Sequence, residues 1–287
     1  MKTILRTFVG CTAILFGTAC MGAVKYVPEN MKVELSLKVP GNNAVNYKLH
    51  PDKLENSYFD YEWRSDNKLP ITVFHKVEER DSCMRLTVQL TAAQDVYFNY
   101  RQLLSTGYRH DNCQFYMPGF WYRRNLRSPK KAPSFHTSDS WLVREDRLSA
   151  PLTGIFSEKE KRFMTVNRLD DFSMDALATH KEGEIILSGK TSLGFTGFEN
   201  QQGIAMLSFG FPYREAPKSY IRKLTLAPEV EAFQLMKKGE SVLLTWEIME
   251  SGADDFSDFI QHTWEHCYDT YAPKPVENSY SIADMKQ

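Results

Sequence analysis

Apolar and polar side chains alternate strictly over residues 31–39. Val33, Leu35, Leu37 and Val39 fall on one face and Glu34, Ser36 and Lys38 on the other. A period of two marks a strand with one face on a core. Pro40-Gly41-Asn42-Asn43 follows as a turn. Strand patterns recur at 57–63, 71–77, 84–90 and 96–100. They resume at 163–167, 184–187, 205–209, 221–226 and 241–248. Glu78-Glu79-Arg80-Asp81-Ser82 reads as a hairpin turn between two of them. Many short strands without intervening helices predict a mainly β fold, an antiparallel β-sandwich.

A helical period appears only late. Over 254–271, Phe256, Phe259, Ile260, Thr263, Cys267 and Tyr271 form one stripe, with Asp258, His262 and Asp269 opposite. Asp254 and Asp255 sit where a helix start favours negative charge, and Pro273 and Pro275 stop it. Ser281-Ile282-Ala283-Asp284 then repeats a helix-start pattern. It reads either as a frayed tail or as the start of a further helical domain. The expected organisation is a leader over 1–19, a sandwich over 24–250 and a helical linker over 254–287.

The segment 115–147 fits neither period. Seven of its 33 residues are aromatic, seven are Lys or Arg against three acids, and three prolines interrupt it. Irregular segments this long and rich in aromatic side chains tend to build sites. A structured surface loop is therefore expected here. Sugar rings want aromatic platforms beside groups that make paired hydrogen bonds. Trp121, Tyr122 and Trp141 are the candidate platforms. Arg123, Arg124, His136, Asp139, Arg144 and Glu145 are the candidate polar rim. The arginines would favour an anionic glycan. The opposing reading is that the aromatic residues pin the loop to the core while its charges pair among themselves.

Composition narrows the compartment. Lys2 and Arg6 precede an apolar run from Phe8 to Phe16, then Gly17, Thr18 and Ala19. That order is a secretory leader too short to span a bilayer. Export across the inner membrane is expected, to the periplasm or cell surface. Cys20 follows directly and is a candidate for lipidation, which would be the chain's one membrane attachment; soluble export is the alternative. Removing the leader leaves 33 basic residues against 36 acidic, a net charge of −3. This balance leaves no electrostatic footprint for nucleic acid. Cys83 and Cys113 could pair in an oxidising compartment, though an odd count leaves one thiol over.

Other motifs fall short. His262-Thr263-Trp264-Glu265-His266 matches the H-x-x-E-H pattern of inverted zinc peptidases, but only 21 residues remain for a third ligand. No metal and no cofactor are expected. Ser188-Gly189-Lys190-Thr191 lacks the earlier glycine of a phosphate loop, that position being Glu184. No constellation requires catalysis, and no catalytic residue is assigned.

Whole segments nevertheless look familiar: FYMPGFWYRRNLRSPK (115–130), PSFHTSDSWLVREDRLSAPLTGIF (133–156), LSGKTSLGFTGFEN (187–200) and FGFPYREAPKSYIRKLTLAP (209–228). The chain resembles the N-terminal region of secreted bacterial polysaccharide-degrading enzymes. In these a β-sandwich precedes an (α/α) barrel of six-hairpin type. The resemblance implies a supersandwich-like fold and a part in a glycoside hydrolase-like enzyme. The 115–147 loop would line a glycan cleft, and a C-terminal helical domain missing after residue 287 would be the intramolecular partner and carry the catalysis. A stand-alone carbohydrate-binding module and a part of a phosphodiesterase-like hydrolase are the alternatives.

Overall fold

The structure, a computed structural model, describes residues 26–80, 83–125, 134–135, 137–170, 182–222, 225–227 and 229–274. The leader, Cys20, His136 and the 281–284 pattern lie outside these residues. In chain order the first strands are β1 (Met31–Lys38), β2 (Val45–Lys53), β3 (Tyr61–Arg64), β4 (Ile71–Glu79), β5 (Cys83–Ala92) and β6 (Val96–Arg109). Then come β7 (Cys113–Met117), β8 (Trp121–Arg123), β9 (Ser140–Arg144), β10 (Leu152–Ser157), β11 (Arg162–Arg168) and β12 (Gly183–Ile186). The rest are β13 (Phe195–Gln201), β14 (Ile204–Phe211), β15 (Arg214–Glu215), β16 (Ser219–Arg222), β17 (Thr225–Ala227), β18 (Val230–Met236) and β19 (Ser241–Gly252), followed by one helix, α1 (Phe256–Tyr271).

Pairing arranges these into the expected antiparallel sandwich. The first sheet runs β2–β1–β6–β14–β13–β9. The second runs β2–β3–β4–β5–β19–β11–β10–β7–β8. Strand β2 belongs to both, pairing with β1 through Leu49 and with β3 from His50 onward. The ladder thus folds over on itself at that point. A small ribbon departs from the antiparallel expectation: β12 lies parallel to β18, whose other side takes β15. The 221–226 pattern resolves into the hairpin β16–β17.

The sequence periods explain the packing. In β5, Met84, Leu86, Val88 and Leu90 are buried between the sheets while the residues between them face outward. Val33 and Leu35 do the same from β1. Trp246 of the second sheet meets Tyr100 and Phe209 of the first, with ring centroids 6.4 and 5.2 Å away. Burying such a ring stabilises the fold by about 1.5–3 kcal/mol.

Helix α1 covers the outer face of the second sheet. The Asp255 carboxylate accepts from the Ser257 and Asp258 N–H groups at 2.7 and 3.0 Å, an N-cap on the donors the first turn leaves unmatched. Phe256, Phe259, Thr263 and Cys267 of the expected stripe are buried. Phe259 packs against Phe156 and Phe163 and lies over Gly154 of β10. A Cβ at 154 would stand 2.6 Å from the Phe259 ring, so the approach requires glycine. Cys83, Cys113 and Cys267 are free and buried, so the considered Cys83–Cys113 pair does not form.

One polar side chain crosses the core. His75 of β4 bonds the Tyr26 hydroxyl at 3.1 Å through Nδ1 and the Tyr100 hydroxyl at 2.8 Å through Nε2. Burial lowers its pKa to about 3, because the charged ring has no partner there.

Two outcomes are expected. Gly154→Ala forces Phe259 away and destabilises by roughly 1–3 kcal/mol, read from urea unfolding midpoints. The unfolded chain protonates His75 near 6.5 and the native chain near 3, so its stabilising share is complete above pH 6.5 and lost as pH falls toward 3. Over that window His75→Gln should flatten the pH dependence of stability by up to about 1.4 kcal/mol per pH unit. An unchanged slope counts against this role.

Candidate functional site

The described residues of 115–147 are more regular than their sequence period indicates. They contain β7, β8 and β9, and their two tryptophans face inward. Trp121 is fully buried and Trp141 is 2 % exposed, so neither is an open platform for a sugar ring. Their rings lie 5.5 Å apart. Phe198 is 5.0 Å from Trp121 and 4.6 Å from Phe115, completing an aromatic cluster with Phe135. Each indole N–H is satisfied locally, Trp121 donating to the Arg123 carbonyl and Trp141 to the Ser138 carbonyl. The pinning role wins for both.

The third expected platform, Tyr122, and the expected rim residues disperse. Tyr122 is exposed, and its hydroxyl accepts from the Gly119 N–H at 3.2 Å. Arg123 places its guanidinium 4.9 Å from the Phe256 ring centroid, against α1. Arg124 donates to the carbonyls of His110, Asp111 and Cys113, tying down the β6–β7 turn. Arg144 makes a two-pronged bond to Asp146, both contacts at 2.7 Å. Asp139 is exposed and accepts from the Asn200 side chain at 3.2 Å. His136 lies outside the described residues. Among the described residues, internal partners therefore take up Arg124 and Arg144, two of the arginines that suggested an anionic ligand.

Glu145 is fully buried. It accepts from Arg168 Nη1 at 2.6 Å and from the Gly194 N–H at 2.7 Å. Burial still raises its pKa above the ordinary carboxylate range, outweighing the attraction of Arg168. This pair joins the end of β9 to β11 and is structural. Glu145→Ala leaves a buried guanidinium with fewer partners and should destabilise by about 3 kcal/mol in denaturant titration.

The same segment also lines a recess, through its small residues. The period of two that turns Trp141 and Val143 inward turns Ser140 and Leu142 outward, onto the exposed side of the first sheet. Their neighbours there include Glu199 of β13, paired with Ser140, and Arg101 of β6. Ser138, Ser140, Leu142, Glu199 and Arg101 form one wall of a recess of about 540 Å³. The ribbon of β12, β15 and β18 forms the other wall, with Arg214, Glu215 and Glu231 among its residues. That volume falls within the roughly 300–1,000 Å³ of small-ligand sites.

A hydrogen-bonded network fixes this floor. Arg214 Nε donates to Asn99 Oδ1 at 2.7 Å, its Nη2 donates to Ser36 Oγ at 3.0 Å, and it pairs with Glu231. Arg101 pairs with Glu199 and with Glu34 at 3.4 Å, and donates to Ser208 Oγ at 3.2 Å. Burial, reinforced by the nearby Arg214 charge, pulls the Arg101 pKa to about 10. Glu215 sits against Arg147 at 2.5 Å, yet burial holds its carboxyl above the usual range. Six glutamates line the recess, at 182, 184, 199, 215, 229 and 231, against Arg101 and Arg214. Five of them are paired, Glu182 with Lys218, Glu184 with Lys38, Glu199 with Arg101, Glu215 with Arg147 and Glu231 with Arg214, so the wall offers carboxylate oxygens to hydroxyls without a large surplus of either charge. Arg101, Glu199 and Arg214 carry no local sequence signal, since Arg101 lies about a hundred residues from the other two. The trace available was the polar half of the β1 alternation, Glu34 and Ser36, which joins this network.

The H-x-x-E-H histidines take different carboxylates. His262 meets Asp258 at 3.4 Å, and His266 meets Glu247 of β19 at 2.6 Å.

No family model matches the chain. No curated protein matches its sequence. Among solved structures the chain is similar to the Slr1438 protein from Synechocystis sp. PCC 6803, at 7 % identity and TM-score 0.40, over 75 % of this chain and 73 % of that one. It is also similar to a polysaccharide lyase, at 14 % identity and TM-score 0.38, over 82 % of this chain and 27 % of the lyase. A protein named as an aldose 1-epimerase from Klebsiella pneumoniae follows, at 9 % identity and TM-score 0.37, over 83 % and 62 %. These likenesses carry no argument about activity.

Proposed function

We propose that the chain is the β-sandwich part of a secreted, carbohydrate-active protein of the hydrolase class, and that it holds a neutral glycan unit in the recess described above. The observation that carries this reading is the wall itself. Serine hydroxyls, carboxylates and fixed guanidinium groups face one space from strands of the first sheet and of the ribbon, which hold donors and acceptors in place. A lining whose charges are paired offers no surplus of positive charge to an anion, which favours a neutral sugar over the anionic glycan suggested by the arginines of 115–147. The leader over 1–19 and lipidation of Cys20 complete the proposal as the export route, checked by the mass of the mature N-terminal peptide. No catalytic residue is assigned within the chain. A binding module acting alone is the second reading, favoured by the fact that both walls of the recess come from this one chain.

Calorimetric titration of the chain against neutral and uronic-acid oligosaccharides tests the site. Binding is expected with neutral members and weaker binding with acidic ones. Leu142→Trp, which fills the recess, should cost at least about tenfold in affinity with the fold unchanged, about 1.4 kcal/mol. Flat titrations across the panel, or equal binding by the variant, would remove the proposal.

A further inference from the structure

Cys83, Glu247 and His266 come together from three elements: the first residue of β5, the middle of β19 and the third turn of α1. One ligand atom from each lies within 4.8 Å of the others. We propose that these three side chains bind one divalent transition-metal ion of the zinc class, tying α1 to the second sheet.

Register and packing create the meeting. Cys83 pairs with Met249 and Arg85 with Glu247 across the β5–β19 ladder. The alternation that sends Met84, Leu86, Trp246 and Ile248 into the core leaves Cys83 and Glu247 on the outer face, beneath α1. The helix then covers them, so Cys83 is 5 % and Glu247 3 % exposed, while His266 keeps an edge toward solvent. Thr270, one turn after His266, donates to Glu247 Oε1 at 3.1 Å and would orient it as an outer partner.

The donor set selects the ion. Thiolate, imidazole and carboxylate together are the ligands of zinc, and three protein donors leave a fourth tetrahedral position for water. Tetrahedral bonds of about 2.1 Å place donors about 3.4 Å apart, within reach of this trio by small side-chain rotations. The His266 Nε2–Glu247 contact of 2.6 Å would open into two metal bonds. Charge also balances, because a thiolate and a carboxylate neutralise a divalent cation in a buried place. The Arg85 guanidinium, 3.8 Å from the second Glu247 oxygen, adds a positive charge at the rim and tempers affinity. Without an ion, burial and the Glu247 charge push the Cys83 thiol up to about 11. Uptake near neutral pH therefore releases one proton, from that thiol.

The test uses the full chain, stripped with a chelator and titrated with cobalt(II) and then zinc(II). One equivalent of cobalt should bind and develop a thiolate-to-cobalt charge-transfer band with the visible bands of a tetrahedral site. Cobalt uptake should release about one proton, from the Cys83 thiol, and zinc should then displace the cobalt with no further release. Cys83→Ser, nearly isosteric, should abolish the band and weaken zinc binding by roughly 100-fold or more, and His266→Gln should weaken it comparably. His262→Gln and Cys113→Ser, outside the trio, should leave both unchanged, with far-ultraviolet circular dichroism confirming each fold. A missing charge-transfer band, a band lost in Cys113→Ser instead, or zinc bound by Cys83→Ser as tightly as by the parent chain overturns the proposal.

Discussion

The sandwich is held shut at its far edge by two tryptophans. At one side the sheets are continuous, because β2 passes from the first to the second. At the other, β9 ends the first sheet and β8 the second. These strands have five and three residues, too few for ladder bonds alone to fix them. What joins them is Trp121 on β8 against Trp141 on β9, with Phe115, Phe135 and Phe198 around the pair. Opening this contact would expose several large rings at once. That cost adds to the backbone pairing of β9 with β13 and of β8 with β7 in setting the position of both strands.

The recess depends on that closure. Ser140 and Leu142 can face the exposed side of the first sheet only because Trp141 between them is committed to the core. The aromatic richness of 115–147 and the small polar wall of the recess are thus two faces of one strand. The sugar-platform reading and the core-pinning reading competed for the same residues. The structure separates them by parity along β9.

Elements whose periods are clean could be read from the chain alone. β1 and β5 alternate because one face meets the core, and α1 shows its stripe because one face meets the second sheet. The 115–147 segment could not be read in this way. All five residues of β7 are buried, so its pattern carries no alternation, and turns set β8 and β9 apart. The recess was hidden for another reason. Its charged floor is assembled from Glu34, Arg101, Glu199 and Arg214, each unremarkable among its sequence neighbours and joined only by register. His266 behaved similarly: its motif pointed to His262, whereas the packing of α1 supplied Glu247 and Cys83.

The outer faces of the two sheets meet opposite fates, and side-chain size at a few positions decides which. On the second sheet, Gly154 is flanked by Phe156 and Phe163, leaving a hollow that receives Phe259 and draws α1 down. On the first, the matching rows carry Glu34, Ser36, Asn99, Arg101 and Glu199, which satisfy one another and offer no apolar seat for a helix. A polar floor of this kind resists being covered, since any apolar element laid on it would desolvate charges without replacing their partners. What covers part of it is the β12–β15–β18 ribbon, whose Arg214 brings partners for Asn99 and Ser36 and leaves both buried. The same physics that closes one side of the molecule with an apolar helix face therefore closes part of the other with a charged ribbon.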